Sequence, residues 1–279
     1  MSKVKLCLWA STRDMLQYKF IINVLTGTPE EIAQRAVDWG YDGIEFMPDP
    51  ECTPDPEVFD TALQRAGAVM PVVGSGRMIP QGMTLIHEEV SIRRKAMKAF
   101  KNVLDFAGYF KARVVLGGAR GTGIPGASKE DVERLTEEIF RELAEYAKKA
   151  GAVIMLEGSS PKYTNLVNSN EEVMAWVERI GNPSFSVMMD TDQLCAAEPS
   201  IEHGIRATKG RAHHIHLYDP NHWPPGILPE KDALDWSHIA RILKEEDFAG
   251  SASIALAPEG DPEFVAPKAV AYMRRIFDK

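Results

Sequence analysis

The sequence predicts an α/β protein that folds as a single (β/α)8 TIM barrel. Short β-rich runs alternate eight times with amphipathic helical segments, which is the pattern of parallel strands joined by crossover helices. A chain of 279 residues, 44% of them hydrophobic, is also long enough for one closed barrel. An open doubly wound sheet alternates in the same way, but no Gly-x-Gly-x-x-Gly turn follows the first strand, and eight regular units favour closure. We therefore expect residues 1–279 to form one domain.

The predicted elements follow from hydrophobic periodicity and from capping residues. The first strand is predicted at residues 4–10, and the first helix begins with Thr-Pro-Glu-Glu at 28–31, a capping box with a proline in its first turn, and ends at Gly40. The other strands are predicted at residues 43–47, 70–74, 112–116, 152–157, 185–190, 212–217 and 251–256. The other helices are predicted at residues 57–65, 90–106, 129–150, 171–180, 201–209, 236–246 and 262–277.

Composition and charge exclude several classes of protein. The net charge is −8 and no basic stripe is present, so we expect no nucleic-acid partner, because such binding depends on clustered Lys and Arg. Cys7, Cys52 and Cys195 lie far apart and outside any Cys-x-x-Cys motif, which predicts reduced thiols. The apolar runs are strand-sized, well below the roughly 20 residues of a membrane span, and no secretory pattern opens the chain. We therefore expect a cytoplasmic protein without a membrane partner.

Three polar residues end consecutive predicted strands. TIM-barrel enzymes have their active sites at this C-terminal end of the strands. Glu157 ends the fifth strand, Asp190 the sixth, and His216 lies at the end of the seventh. Strand alternation turns them toward the same side, so we predict that all three bind one divalent metal ion. Two carboxylates and one imidazole without a thiolate suit Mn²⁺, the expected ion, with Mg²⁺, Co²⁺ and Zn²⁺ as alternatives.

The motifs around these residues resemble the xylose isomerase-like superfamily of sugar isomerases and epimerases, and within it the ketose 3-epimerases related to D-tagatose 3-epimerase. Glu157 is followed by Thr-Asn-Leu-Val-Asn at 164–168, Asp190 by Thr191, and the seventh strand holds His-Ile-His at 214–216 with Pro-Gly at 225–226. The likeness covers nearly the whole chain. It implies a metal-dependent enzyme that acts on a small carbohydrate and assembles as a homodimer or homotetramer.

The sequence departs from the family pattern at four positions on the substrate side. The family has a metal-binding glutamate on the eighth strand, where this chain has Ala255, or Ala257 in a shifted alignment. Ketose epimerases use that glutamate and the one on the fifth strand as paired acid and base, so two-base epimerisation is in question. The family's His, Arg and Glu at three further positions are Gln193, His222 and Tyr163 here. These changes imply a retained scaffold with a different substrate.

Candidate roles follow from this resemblance and from the polar strand ends. We predict Glu157 and His222 as proton-transferring catalytic residues. The predicted substrate-binding residues are Glu45, Tyr163, Gln193, His214 and Trp9. Five of these residues have an alternative structural role: Gln193, His222 and Tyr163 as loop residues, His214 as a hydrogen-bonded barrel residue, and Trp9 as a plug of the barrel.

Three functions remain open from the sequence. The first is a metal-dependent isomerase or epimerase that acts on a ketose or keto-sugar through an enediolate. The second is a lyase or dehydratase of the same fold that acts on a 3-keto-glycoside, including C-glycoside deglycosylation, or on an inosose; elimination needs one base, which agrees with Ala255. The third is a sugar-binding barrel without catalysis.

Overall fold

Eight strands pair in parallel in chain order and close into a barrel, because the last strand also pairs with the first. The computed structural model describes residues 4–17 and 22–278. The barrel strands are β1 Lys5–Ser11, β2 Gly43–Met47, β3 Val69–Gly74, β4 Arg113–Leu116, β5 Val153–Glu157, β6 Phe185–Asp190, β7 His214–His216 and β8 Ser251–Ile254. A two-residue strand, Leu25–Thr26, adds to the end of β1. The predicted fold class is confirmed.

The α-helices of the described residues surround this barrel. They are α1 Pro29–Asp38, α2 Pro56–Ala66, α3 Val90–Tyr109, α4 Lys129–Ala150, α5 Asn170–Ile180, α6 Thr191–Ala197, α7 Ile201–Ala207, α8 Trp236–Glu245 and α9 Pro262–Phe277. The capping box predicted for α1 is present, since the side chain of Thr28 accepts from the Glu31 N–H and Glu31 accepts from the Thr28 N–H. Among the described residues, no helix is long and apolar enough to cross a membrane.

Two local features differ from the predicted elements. The helix α6 was not predicted; it begins directly after Asp190, whose Oδ1 accepts hydrogen bonds from the backbone N–H groups of Asp192 and Gln193. The eighth strand ends at Ile254 rather than at residue 256, because the N–H of Leu256 donates to the carbonyl oxygen of Asn23 at 2.9 Å, outside the barrel ladder. The predicted domain span also includes residues 1–3, 18–21 and 279, which lie outside the described residues.

The interior of the barrel has an apolar half and a polar half. Inward-facing residues of β3 to β6 form a small apolar cluster of Val72, Val115, Met155 and Met188. The strands β1, β2, β7 and β8 instead place buried polar side chains inside the barrel, namely Cys7, Glu45, His214, Ser251 and Ser253. The outward-facing residues of all strands pack against the helices in the main core, as Leu6 and Leu8 do. The polar half therefore lies directly beneath His216, at the C-terminal end of β7.

Candidate active site

Glu157, Asp190 and His216 meet at the C-terminal ends of β5, β6 and β7. Asp190 and His216 are register partners across β6 and β7, and Nδ1 of His216 lies 3.2 Å from Oδ2 of Asp190 and 3.7 Å from Oε1 of Glu157. One donor atom from each residue lies within 4.8 Å of the others. Their side chains are 12%, 7% and 3% exposed, so the cluster is buried but reachable from the barrel mouth. The structure thus brings together the three residues that the sequence predicts as metal ligands.

The electrostatics of this cluster fit a bound cation. Burial, together with the neighbouring Asp190, raises the pKa of Glu157 to about 7. Burial alone would lower the pKa of His216, but Glu45 and Asp190 outweigh it and raise that pKa to about 10. Two buried carboxylates therefore face a single imidazole. A divalent cation that accepts oxygen and nitrogen donors would relieve the repulsion between the carboxylates, so the donor set fits the predicted metal.

Glu45, His214 and Ser251 form a layer of hydrogen bonds below this cluster. Oε2 of Glu45 lies 3.0 Å from Nε2 of His214 and 3.1 Å from Nε2 of His216, and Nδ1 of His214 lies 2.7 Å from Oγ of Ser251. Glu45 and His214 have no exposed surface. Contact with both imidazoles lowers the pKa of Glu45 despite its burial. Substrate binding by Glu45 and His214 stays a prediction, and their burial favours a supporting role for His216 instead.

Two neighbours of Glu157 were not identified from the sequence. Gly117 follows β4, and a Cβ atom at this position would lie 2.4 Å from Oε2 of Glu157, so only a glycine leaves room for the carboxylate as it stands. The hydroxyl of Ser159 donates to the same oxygen at 3.3 Å. The Gly-Gly pair at 117–118, which directly follows a predicted strand, was the available signal for such a close approach.

Arg120 links the end of β4 to the loop that follows Glu157. Its side chain is fully buried, and Nε and Nη2 donate to the carbonyl oxygens of Leu166 and Val167, each at 3.0 Å. These carbonyls belong to the Thr-Asn-Leu-Val-Asn segment at 164–168. Arg120 also places a positive charge near Glu157, which offsets part of the rise in the pKa of that carboxyl. Arg120 therefore holds segment 164–168 beside the site, and this segment contributes no residue to the cluster of proposed ligands.

The mouth of the barrel holds the other predicted residues. Trp9 packs edge to face on the His216 ring, with ring centroids 4.6 Å apart, and its Nε1 is buried without a hydrogen-bond partner among the described residues. Oε1 of Gln193 accepts the Ser160 N–H at 2.7 Å. Tyr163 is 43% exposed. Their roles in substrate binding stay predictions.

His222 lies at the same mouth, in a short turn after β7. Its Nε2 is 3.6 Å from Oδ2 of Asp192, and its ring packs edge to face on Tyr218 with centroids 5.3 Å apart. Tyr218 in turn contacts His216 at a centroid distance of 6.3 Å. The sequence analysis did not single out Asp192, although Asp-Thr-Asp at 190–192 places two carboxylates at one strand end.

The end of β8 contributes no carboxylate to the cluster. Ala255 is buried in an apolar group with Trp9, Met15, Met47 and Tyr218. Glu259, further along the same loop, is exposed. Within residues 4–17 and 22–278, the two groups of side chains close enough to hold a metal, Glu157 with Asp190 and His216, and Glu45 with His214 and His216, include no residue from this strand end.

The closed parallel barrel and the buried His/Glu/Asp cluster at its C-terminal mouth define the class of protein. Residues 33–276 match the family described as Xylose isomerase-like TIM barrel, and the chain belongs to this family. It is 26% identical over 173 residues to a D-psicose 3-epimerase from Enterocloster bolteae, covering 60% of this chain and 56% of that enzyme. It is 23% identical to a fructoselysine 3-epimerase from Shigella flexneri, covering 88% and 92%. The chain thus spans little more than half the length of the first of these relatives.

A solved structure also shares the fold. The apo form of 3-keto-D-glucoside 4-epimerase from E. coli superposes with a TM-score of 0.80 and 14% identity, covering 98% of this chain and 100% of that one. At this identity the likeness shows the fold alone. The resemblance to ketose 3-epimerases is confirmed as distant homology, and the protein is a member of a sugar isomerase and epimerase family with a buried cluster of the kind that holds a metal.

Proposed function

We propose that this protein is a divalent-metal-dependent isomerase or epimerase that acts on a ketose or keto-sugar through an enediolate. The convergence of Glu157, Asp190 and His216 in one buried cluster is the observation that carries this proposal. Family membership and the names of the relatives, which are epimerases of free or substituted ketoses, support the substrate class. Mn²⁺ is the expected ion, with Mg²⁺, Co²⁺ and Zn²⁺ as alternatives.

The three proposed ligands each have one further contact that orients them. Oδ1 of Asp190 caps α6, which leaves Oδ2 directed at His216. Gly117 gives room for the carboxylate of Glu157, and Nε2 of His216 is held by Glu45. A divalent ion bound here would polarise neighbouring carbonyl and hydroxyl oxygens of a sugar and stabilise the charge of an enediolate. In this proposal Glu157, whose pKa is raised, takes a proton from the substrate carbon.

His222 is the proposed second proton-transfer group. It lies near Asp192, whose carboxylate can orient the imidazole by way of Nε2. Asn221 and His222 both adopt left-handed backbone conformations, with φ of 61° and 60°, which cost on the order of 1 kcal/mol each for non-glycine residues. This turn holds the His222 ring against Tyr218 at the barrel mouth.

Elimination is the second candidate, and Ala255 favours it. A symmetrical epimerase needs a proton-transfer group on each face of the substrate carbon, and the end of β8 provides only a buried alanine. A lyase or dehydratase that acts on a 3-keto-glycoside or an inosose needs one base and a stabilised enolate. One fold relative acts on a 3-keto-D-glucoside according to its name, which supports this substrate class for the fold.

The metal site is tested first, without any substrate. We expect the purified protein to bind about one Mn²⁺ or Co²⁺ per chain, and the substitutions Glu157→Ala and His216→Ala to abolish this binding. Glu259→Ala is the matched control, since it removes an exposed carboxylate from the loop after β8. Elemental analysis after dialysis measures occupancy. Unaltered occupancy in the Glu157 and His216 variants means that the metal site is elsewhere.

Incubation of the metal-loaded protein in D2O with D-fructose, inososes and 3-keto-glycosides then separates the functions. Epimerisation leaves deuterium at a carbon of inverted configuration, which NMR detects. Elimination yields an unsaturated product or a released aglycone. If all of these substrates bind but none reacts, the protein is the sugar-binding barrel without catalysis, and both enzymatic candidates are wrong.

A further inference from the structure

We infer that Glu45 is a positioning residue that fixes the tautomer of His216, so that Nδ1 and not Nε2 is the metal-binding atom. This inference rests on the metal site of the proposed function. Glu45 lies on β2 and His216 on β7, strands that are not neighbours in the barrel, so their side chains meet across its interior. Their contact therefore depends on closure of the barrel and not on residues that are near each other in sequence.

The hydrogen-bond inventory of the interior leads to this assignment. An ionised carboxylate accepts hydrogen bonds and donates none. Oε2 of Glu45 lies 3.0 Å from Nε2 of His214 and 3.1 Å from Nε2 of His216, so both Nε2 atoms must carry a proton. Glu45 therefore holds the Nε2 proton of each ring, which leaves only Nδ1 of each ring to contact a further group. Metal-binding histidines usually donate their other ring N–H to a carboxylate or carbonyl in this way, which sets the ring orientation and the basicity of the ligand.

The two Nδ1 atoms then have different surroundings. Nδ1 of His214 lies 2.7 Å from Oγ of Ser251, whose hydroxyl can donate to it, so the lone pair of this ring is already used. Nδ1 of His216 faces Oδ2 of Asp190 at 3.2 Å and Oε1 of Glu157 at 3.7 Å. Only Nδ1 of His216 is therefore directed at a pair of carboxylates, where a bound cation would take the place of its proton.

The lower group of Glu45, His214 and His216 is also close enough to hold a metal, but its charges argue against one. It balances a single carboxylate with two imidazoles and satisfies its hydrogen bonds without an ion. The upper group sets two carboxylates, on Glu157 and Asp190, against one imidazole. A cation gains more from the upper group, because it neutralises two buried charges that otherwise repel each other. Glu45 and His214 are also completely buried, whereas the Glu157 side chain is 12% exposed at the mouth.

The substitution Glu45→Gln tests this inference, because it keeps the size of the side chain but adds an amide N–H that can donate to a ring nitrogen. We expect Zn²⁺ and Mn²⁺ affinities, measured by calorimetry, to fall about 10- to 100-fold. Ser253→Ala is the matched control. Ser253 is the register partner of His216 across β7 and β8, and its buried Oγ has no hydrogen-bond partner among the described residues. Removal of this hydroxyl should therefore leave the metal affinity unchanged.

Long-range ¹H–¹⁵N NMR of the Zn²⁺-loaded protein reads the tautomer directly. The expected signature is a protonated Nε2 and a metal-bound Nδ1 on His216, and its loss in Glu45→Gln. Zinc bound through Nε2, or equal affinities in wild type and Glu45→Gln, would overturn the inference while the metal site itself stands. If the wild-type protein takes up no metal, the proposed function fails instead. The Nε2–H signals of His214 and His216 in the metal-free protein then decide whether Glu45 holds both rings.

Discussion

The replacement Gly117→Ala should weaken metal binding without unfolding the protein. The added Cβ would lie 2.4 Å from Oε2 of Glu157. Non-bonded heavy atoms rest about 3.5 Å apart, so the carboxylate must retreat by roughly 1 Å. A displacement of about this size in an active site can cost on the order of 100-fold, and loss of support for a metal ligand costs about 10- to 100-fold. We therefore expect Mn²⁺ affinity to fall about 10- to 100-fold, as measured by isothermal titration calorimetry.

The neighbouring Gly118→Ala is the matched control for this prediction. A Cβ at Gly118 would lie 2.7 Å from Cδ1 of Ile79, the end of a side chain that is 45% exposed and free to rotate away. Both variants should keep nearly the wild-type melting temperature, since in each case a side-chain end moves and the backbone stays in place. Equal Mn²⁺ affinity in the two variants would refute the placement of Glu157 as a ligand.

Two further predictions concern protons at the site. His222→Gln should slow substrate deuterium exchange by on the order of 10²- to 10⁴-fold and leave the Mn²⁺ affinity unchanged. Asp192→Asn should slow the same exchange by a smaller factor, because Asp192 acts through His222. If neither substitution alters the exchange rate, this pair has no part in the mechanism. The pKa of Glu157, raised to about 7 by burial and by Asp190, means that a proton competes with the metal below this pH and leaves above it. The proton of His216, whose pKa is raised to about 10, competes over the same range. Calorimetry should therefore show Mn²⁺ affinity rising from pH 6 to pH 8, and an affinity that stays level would contradict proton competition at these two ligands.

Much of the fold could be predicted because local chemistry marks each unit. Pairs of a strand-like run and a helix-like run recur eight times, and Gly67, Gly151 and Gly181 end three of the helices. Parallel strands joined by helices also have few ways to close. The cluster of proposed ligands could be predicted for the same reason, since Glu157, Asp190 and His216 each end a strand and parallel strands end at one face. The short helix after Asp190 was missed, because its hydrophobic pattern covers only seven residues and its cap is the proposed metal ligand itself.

Contacts across the barrel interior could not be predicted. Alternation shows that Glu45 and His214 face inward, but it does not show that they meet across two intervening strands, which depends on the stagger and closure of the barrel. This is why Glu45 and His214 were predicted to bind substrate, whereas their geometry points to support of His216. The close approach of Gly117 to Glu157 depends on the same three-dimensional arrangement. Cytoplasmic location and assembly into dimers or tetramers stay predictions.

Crystals soaked in Mn²⁺ and measured at wavelengths on either side of the manganese absorption edge test the proposed metal centre most directly. The predicted result is one anomalous peak within bonding distance of Glu157, Asp190 and Nδ1 of His216, with Nε2 of His216 still in contact with Glu45. A peak between Glu45 and His214 would contradict both the proposed ligand set and the role given to Glu45, and no peak at the end of the barrel would contradict the proposed ligand set.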